Sequence, residues 1–137
     1  MSQYAVAEVP KLVAPRDALR LQKAGLRTTD EILRQGANAD ARKDLARRAH
    51  LKPSTIDKLA RRADLLRLAD VGPEHVLLLE AVGVRSIPDL ATRDPAALTA
   101  AAAATNRTQK IVDLLPGQPQ FRAWINQAKS LPPILQD

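Results

Sequence analysis

The sequence is most informative at first through what it lacks. Cysteine is absent, which excludes disulfides, thiolate metal sites and cysteine nucleophiles. The only aromatic residues are Tyr4, Phe121 and Trp124. The core must therefore consist of Leu, Val, Ile and Ala, which favours packed helices over a β-sheet. No apolar run approaches membrane-spanning length, and the opening MSQYAVAEVP is too short and polar for a signal peptide. We therefore expect a soluble cytoplasmic protein with no membrane contact.

Catalytic and metal-binding groups are also scarce. The chain has two histidines, and neither has a nearby nucleophile or a third partner in the sequence. His50 falls between two predicted helices, where we expect a cap or a surface group, and His75 falls in the first turn of a helix. The carboxylates are scattered and mostly adjoin basic residues, so no acid–base pair stands out. We predict a protein that is not an enzyme, with no cofactor and no metal.

Positive charge is concentrated in one segment. The formal net charge is +6, and residues 42–67 contain nine basic and three acidic residues, so this segment alone accounts for the excess. The remainder has twelve of each and sums to zero. Such a segment is either an anion-binding face or a solvated helical surface. The nine basic residues, hereafter the basic block, are Arg42, Lys43, Arg47, Arg48, Lys52, Lys58, Arg61, Arg62 and Arg67.

The chain also resembles itself at an offset of 58 residues. Residues 15–32, PRDALRLQKAGLRTTDEI, align with residues 73–90, PEHVLLLEAVGVRSIPDL. A weaker match pairs STIDKLARRA, residues 54–63, with PQFRAWINQA, residues 119–128. We interpret these as two diverged copies of one helical unit. They cover about residues 5–66 and 67–131 of a single all-α domain, residues 1–137, which ends in a Pro-rich tail, 131–137.

Local signals within the copies are helical. Pro15 and Pro73 suit the first turn of a helix, and Gly25 and Gly83 suit the left-handed residue that ends one. Capping boxes are predicted at Thr28-x-x-Glu31 and Ser86-x-x-Asp89, and Asp94-Pro95 predicts a further helix start. Apolar residues recur at helical spacing at 41, 45 and 49, in residues 56–63 and in residues 121–128. We expect eight to ten short helices, with a helix over 54–68 joining the two halves, and a tail that packs or trails as extended chain.

The stretch LADVGPEHVLLLEAVGVRSIPDL, residues 68–90, resembles a helix-hairpin-helix motif. Over nearly the whole chain, the order of AGLRTTDEILRQGA, the basic helices, this stretch and WINQAKSLPPIL is similar to the bacterial family called domain of unknown function 4332. That resemblance implies an all-α fold of two helix-hairpin-helix repeats packed as one compact domain. It implies kinship with nucleic-acid-binding hairpins and no further function.

The hairpin turns themselves lack the chemistry of a phosphate cradle. Such a turn aims backbone N–H groups at phosphate and usually has the sequence Gly-hydrophobic-Gly. In the second copy Asp70 precedes Val71 and Gly72, and in the first copy Leu12, Val13 and Ala14 contain no glycine. Pro15 and Pro73 each remove an N–H group. We therefore expect Val13, Ala14, Val71 and Gly72 to form structural turns, in which Asp70 could instead cap the next helix.

Any nucleic-acid binding therefore falls to the basic block. Lys58, Arg61 and Arg62 lie at i, i+3 and i+4 of one predicted helix, and Arg42, Lys43 and Arg47 are assigned to the outer side of the preceding helix. The first hypothesis is non-specific binding of DNA or RNA through residues 42–62, with no base stacking because no aromatic residue lies among the cations. The alternative is a protein–protein interaction adaptor on a degenerate hairpin scaffold. The predicted nucleic-acid-binding residues are Arg42, Lys43, Arg47, Arg48, Lys58, Arg61 and Arg62.

Overall fold

Helices account for nearly all of the regular structure. The computed structural model describes residues 3–136, so Met1, Ser2 and Asp137, the ends of the predicted domain and tail, lie outside the described residues. Within that range it contains one 3₁₀ helix, Val6–Glu8, and eight α-helices, and its only β-type pairing is one isolated bridge between Ala5 and Thr28. The all-α prediction is confirmed. The helices are α1 Pro15–Lys23, α2 Thr29–Gln35, α3 Ala39–Ala49, α4 Pro53–Leu65, α5 Pro73–Ala81, α6 Ile87–Ala91, α7 Pro95–Gln109 and α8 Gln118–Ser130.

Side chains fix the starts of several helices as the sequence predicts. At α2 the Thr28 hydroxyl accepts the Glu31 N–H at 3.2 Å, and the Glu31 carboxylate accepts the Thr28 N–H at 3.2 Å. At α6 the Ser86 hydroxyl accepts the Asp89 N–H at 3.2 Å, while the Asp89 carboxylate accepts the N–H of Arg85. Each of these bonds satisfies a backbone donor that the helix leaves unpaired.

Left-handed residues end or redirect several helices. Gly25 and Gly83 have φ of +88° and +90° after α1 and α5, as predicted, because glycine adopts this conformation without a Cβ clash. Three other residues have positive φ: His50 at +56°, Asp70 at +63° and Lys110 at +49°. His50 and Lys110 are the C-caps of α3 and α7, so His50 is a cap, in agreement with one of the two roles expected for it.

The same packing pattern occurs in both halves of the chain. Helices α2 and α3 pack on α4, and α6 and α7 pack on α8. Helix α4 also contacts α5, so it joins the halves as expected, although it ends at Leu65 and not at residue 68. The recurrence supports internal duplication, which stays a prediction. None of the helices within residues 3–136 combines the length and apolar character needed to cross a membrane.

Leucine, valine, isoleucine and alanine dominate the core, and the two large aromatic side chains add to it. Phe121 and Trp124 on α8 are buried, with ring centroids 5.5 Å apart in an edge-to-face arrangement. Ile56 and Leu59 on α4 are buried at the positions aligned with this pair of rings. The sequence-based assignment of Phe121 and Trp124 to the core is therefore confirmed.

The tail packs against the domain as extended chain up to Gln136. The carbonyl of Pro132 accepts from Arg67 Nη2 at 2.6 Å, and the carbonyl of Gln136 accepts from Arg42 Nη2 at 2.9 Å. The Gln136 N–H donates to the Ala37 carbonyl at 2.6 Å. Two arginines of the basic block thus hold the tail through its main chain.

Candidate nucleic-acid interface

Two arginines of the basic block are buried and serve the interior. Arg42 is 6% exposed and donates to the carbonyls of Gly36, at 2.8 Å, and Gln136, while its Nε lies 3.3 Å from a carboxylate oxygen of Asp57. Its assignment to the outer side of α3 was wrong. The predicted stripe on α3 was 41, 45 and 49, and the buried residues are 42, 45, 46 and 49, so 45 and 49 are buried as predicted but 42 is buried in place of 41. Arg42 cannot contact phosphate from this position.

Arg67 is the second buried arginine. It is 4% exposed, and its Nη1 donates to the fully buried carboxylate of Asp64 at 3.0 Å. The other Asp64 oxygen accepts the N–H of Ile87, at the start of α6, at 2.8 Å. The pair therefore connects the end of α4 to α6 and to the tail. The Nε of Arg67 is buried without a hydrogen-bond partner.

Arg61 and Arg62 occupy the helical positions predicted for them but are ion-paired. Arg62 binds Glu80 through Nε at 2.7 Å and Nη2 at 2.9 Å, and its Nη1 donates to the Leu12 carbonyl at 2.6 Å. Arg61 Nε donates to Asp57 at 3.0 Å. Lys58, on the same face, is exposed. All three residues line a cleft between α4 and the residues around the Gly83 turn, not the surface at the start of α4.

The remaining cations of the basic block lie around the α3–α4 turn. Lys43, Arg47, Arg48 and Lys52 are all exposed. Arg47 lies 3.6 Å from Asp44, but both side chains are more than 60% exposed, so water screens this pair. These four residues include three of the seven predicted binding residues, and they are available to a ligand in solvent.

Helix α1 adds cations that the sequence analysis did not assign to the interface. Arg48 Nη2 donates to the Ala24 carbonyl at 3.0 Å, and Arg20 Nη1 donates to the His50 carbonyl at 3.0 Å. These two bonds join the carboxyl ends of α1 and α3. Each arginine also places positive charge at the negative end of the other helix's dipole.

We group the exposed cations of the last turn of α1, of α3 and of the N-cap of α4 under one name, hereafter the basic turn surface. It includes Lys23, which is exposed in the last turn of α1 beside Ala24. A sequence clue existed, since Arg20 and Lys23 are basic residues in the last turn of a helix, but nothing local indicated their proximity to residues 47–52. The basic turn surface consists of Arg20, Lys23, Lys43, Arg47, Arg48 and Lys52.

The start of α4 lies within this surface. Lys52 is the N-cap residue of α4, and no side chain caps the helix. A cleft of about 280 Å³ adjoins this first turn and is lined by Ala39, Arg42, Lys43, Pro53, Ser54 and Asp57. Pro53 has no N–H group and the Thr55 N–H is bonded to the Lys52 carbonyl, so this position attracts an anion mainly through the positive end of the helix dipole.

Backbone groups in and just before the turn of residues 70–72 are hydrogen-bonded to side chains of the same chain. The Gly72 N–H donates to His75 Nδ1 at 3.1 Å. Helix α8 is hydrogen-bonded to Ala69, which comes just before the turn. The Ala69 N–H donates to Gln127 Oε1 and the Ala69 carbonyl accepts from Trp124 Nε1, both at 3.0 Å. Val71 is buried. These backbone groups are already engaged and do not form an open phosphate cradle.

Asp70 has a backbone conformation that glycine adopts more easily than other residues. It is exposed with φ of +63°, the left-handed region that favours glycine. The expectation that Asp70 caps α5 was wrong, because Gly72 is the N-cap and the reciprocal side chain is His75. In the first hairpin Val13 is buried and Ala14 is the N-cap of α1, with no side-chain cap. Arg62 holds that turn through the Leu12 carbonyl.

The histidines are not gathered into a metal site. Within residues 3–136, no three His, Asp or Glu side chains come together in a way that could hold a metal ion. His50 is exposed at the end of α3, and the ring of His75 packs on Trp124 with centroids 5.2 Å apart. His50 is thus the C-cap of α3, and His75 accepts from the Gly72 N–H and packs on Trp124.

A family model described as Domain of unknown function (DUF4332) matches residues 12–131. The chain belongs to this family. The DUF4332 match begins at Leu12, just before α1, and ends at Leu131, the C-cap of α8, so it includes helices α1 to α8 and the basic turn surface but not the rest of the tail. No curated protein and no solved structure matches the chain.

Proposed function

We propose that this DUF4332 protein is a non-enzymatic module that binds nucleic acid non-specifically through the basic turn surface. The observation that carries the proposal is the pair of hydrogen bonds from Arg48 to Ala24 and from Arg20 to His50. They join the carboxyl ends of two sequence-distant helices that each have exposed cations. Phosphates are spaced regularly along a nucleic acid, so a face with several cations suits its backbone better than one small anion.

The side chains on this surface favour backbone contacts over base recognition. Lysine and arginine bind phosphate at any sequence, and these contacts fix position without identifying bases. The three aromatic residues lie elsewhere, with Phe121 and Trp124 in the core and Tyr4 half-buried. Stacking on an aromatic side chain therefore has no part in the proposal. At the uncapped start of α4, the positive end of the helix dipole adds to phosphate binding.

In this proposal the two helix-hairpin-helix-like units are scaffolds related by internal duplication. Their turns are held by Arg62 in the first unit and by His75 and α8 in the second. The hairpins orient the helices that carry the cations and do not themselves contact phosphate. The proposal includes a location in the bacterial cytoplasm, where nucleic acid is accessible.

The proposal can be tested by fluorescence anisotropy with labelled duplex DNA, single-stranded DNA and RNA. One triple variant replaces exposed residues of the surface, Lys43→Glu, Arg47→Glu and Lys52→Glu, and a control replaces exposed residues of α7 and α8, Arg107→Glu, Arg122→Glu and Lys129→Glu. Each replacement changes the charge by two, so both variants have a formal net charge of zero. We expect the surface variant to lose at least about tenfold in affinity and the control to lose much less. Equal losses would reduce the effect to net charge and contradict the assigned surface.

A protein-interaction adaptor is the second candidate, favoured by an apolar groove beside α1. Leu19 is 52% exposed there, and the groove is also lined by Val6, Val13 and Ala18. Capture of a protein that survives nuclease treatment and high salt, and that Leu19→Glu abolishes, would support this candidate. If nuclease treatment abolished the capture, the protein would be held through nucleic acid and the first candidate would be supported.

A further inference from the structure

A second positively charged feature lies between the two halves of the chain and shares Asp57 with the cleft at the start of α4. It is a cleft of about 300 Å³, which is within the size range of small-molecule sites. One wall is α4, and the other contains the end of α5 and the turn that follows it. Its lining residues are Asp57, Lys58, Arg61, Arg62, Leu65, Glu80, Val84 and Arg85.

The acidic groups of the cleft are already neutralised. Glu80 accepts two hydrogen bonds from Arg62, at 2.7 and 2.9 Å. Asp57 lies between Arg61, at 3.0 Å, and the buried Arg42, at 3.3 Å. The cleft therefore does not repel an anion as two free carboxylates would.

Two cations at the cleft remain available. The side chains of Lys58 and Arg85 are exposed and have no hydrogen-bond or ion-pair partner among residues 3–136. The carboxylate of Asp89 accepts the backbone N–H of Arg85 and is attracted by its charge, but its side-chain ion pair is with Arg93, at 3.1 Å. Lys58 comes from the first half and Arg85 from the second, so an anion between them would contact both halves.

The floor of the cleft is apolar and its guanidinium wall is rigid. Leu65 and Val84 are each only 1% exposed. Arg62 is fixed by Glu80 and by the Leu12 carbonyl, so its position is set before any ligand arrives. A cationic rim over an apolar floor matches a ligand that has an anionic group attached to a largely apolar or planar body.

We propose that this cleft binds a small organic phosphate of the size of a nucleoside monophosphate. Lys58 and Arg85 contact the phosphate, and the body of the ligand lies against the wall that contains Leu65, Val84 and the paired Arg61 and Arg62. The proposal does not depend on nucleic-acid binding, because Lys58 and Arg85 lie outside the basic turn surface. Failure of either proposal leaves the other standing.

The test is a titration of the full-length protein, followed by amide chemical shifts and by calorimetry, with adenosine monophosphate, adenosine and inorganic phosphate as separate probes. The variant Lys58→Ala, Arg85→Ala removes the two rim cations, and Arg47→Ala, Lys52→Ala is the matched control on the basic turn surface. All four side chains are exposed, and circular dichroism checks that both variants stay folded.

We expect saturable binding of the monophosphate with shifts around residues 58–65 and 80–85. The cleft variant should bind it about tenfold more weakly or worse, since two charge-assisted contacts are lost, and the control variant should bind within about twofold of the parent. Adenosine and inorganic phosphate should each bind more weakly than the monophosphate. Absent binding, shifts confined to residues 43–52, equal losses in both variants, or phosphate binding as tight as the monophosphate would each overturn the proposal.

Discussion

The Arg42 side chain lies against Asp57, with its Nε 3.3 Å from the carboxylate and only 7% of the side chain exposed. The same guanidinium group holds the ends of two separate segments, at Gly36 and Gln136. An arginine in a segment of concentrated positive charge is thus a structural residue. Counting charges along the basic block overstates the charge that a ligand meets, because Arg42 and Arg67 point inward and Arg61 and Arg62 are paired.

Replacing Arg42 should destabilise the protein without acting on nucleic acid directly. Arg42→Ala removes two hydrogen bonds to carbonyls and leaves Asp57 with one partner fewer, for an expected loss of about 2–4 kcal/mol in the free energy of unfolding. Arg42→Lys should restore little, because one ammonium group does not reach three acceptors as the guanidinium fork does. Urea denaturation measures both. Lys43→Ala, its exposed neighbour, is the control and should be nearly neutral, and equal effects at the two positions would contradict the assignment.

The buried pair of Asp64 and Arg67 should behave as one unit. Removing either partner leaves a buried charge uncompensated, so Asp64→Ala and Arg67→Ala should each cost about 3–5 kcal/mol in unfolding free energy. The double variant should cost at least about 1 kcal/mol less than the sum of the single variants, because neither charge remains. A thermodynamic cycle from denaturant unfolding checks this. Simple additivity would show that the two residues act independently.

Replacing Asp70 with glycine should stabilise the protein. Asp70→Gly relieves the left-handed φ of +63°, and we expect it to raise the free energy of unfolding by up to about 1 kcal/mol. Asp70→Ala removes the same carboxylate but retains a Cβ, so it should give no such gain. Thermal unfolding of the two variants separates the conformational effect from the charge effect. A gain shared by both would assign the effect to charge.

Asp89 should contribute to the pH dependence of stability. Burial tends to raise its pKa, but hydrogen bonds from the Arg93 side chain and the Arg85 N–H, together with their charges, hold the pKa below its usual value. A carboxylate with a lowered pKa in the folded state stabilises above the unfolded pKa, about 4, and loses that contribution as pH falls through the folded pKa. Asp89→Asn should therefore unfold with a shallower dependence on pH below about pH 4.

Chemical denaturation at a series of pH values measures the effect at Asp89. Asp113→Asn, in an exposed stretch where the carboxylate has no partner among the described residues, is the control for removing one acidic group. Asp89→Asn should be the less stable of the two variants at neutral pH, and the difference between them should shrink as pH falls through the folded pKa of Asp89. Parallel curves for Asp89→Asn and the parent would show that this carboxylate is not coupled to folding.

Much of the helical framework could be predicted because its signals are local. The Thr28–Glu31 capping box, the prolines at first helical turns and the two left-handed glycines act within a few residues of one another. The interior role of Arg42 could not be predicted, because its acceptors at Gly36 and Gln136 come together only when the tail has docked. The predicted stripe of α3 included residue 41 and omitted residues 42 and 46, and this assigned the Arg42 side chain to the outer side.

The candidate interface was predictable only in part for the same reason. Lys43, Arg47 and Arg48 were found by counting charges along the chain, and all three are exposed. The contribution of Arg20 depends on a contact with residue 50, thirty positions away, for which the sequence has no local signal. That the turn around Gly72 is not an open phosphate cradle could be predicted from its missing glycine. The hydrogen bond from Gly72 to His75 was not predicted, and the bond from Trp124 on α8 to Ala69 depends on tertiary packing.

The most direct test of the central claim is the slope of log affinity for duplex DNA against log salt concentration. It should be measured for the parent protein, the Lys43/Arg47/Lys52 triple variant and the Arg107/Arg122/Lys129 triple variant. If three phosphate contacts are lost, the surface variant should have a slope shallower by about 2–3, while the control keeps the slope of the parent. Equal slopes in all three proteins, or a parent affinity that does not change with salt, would contradict binding through the basic turn surface.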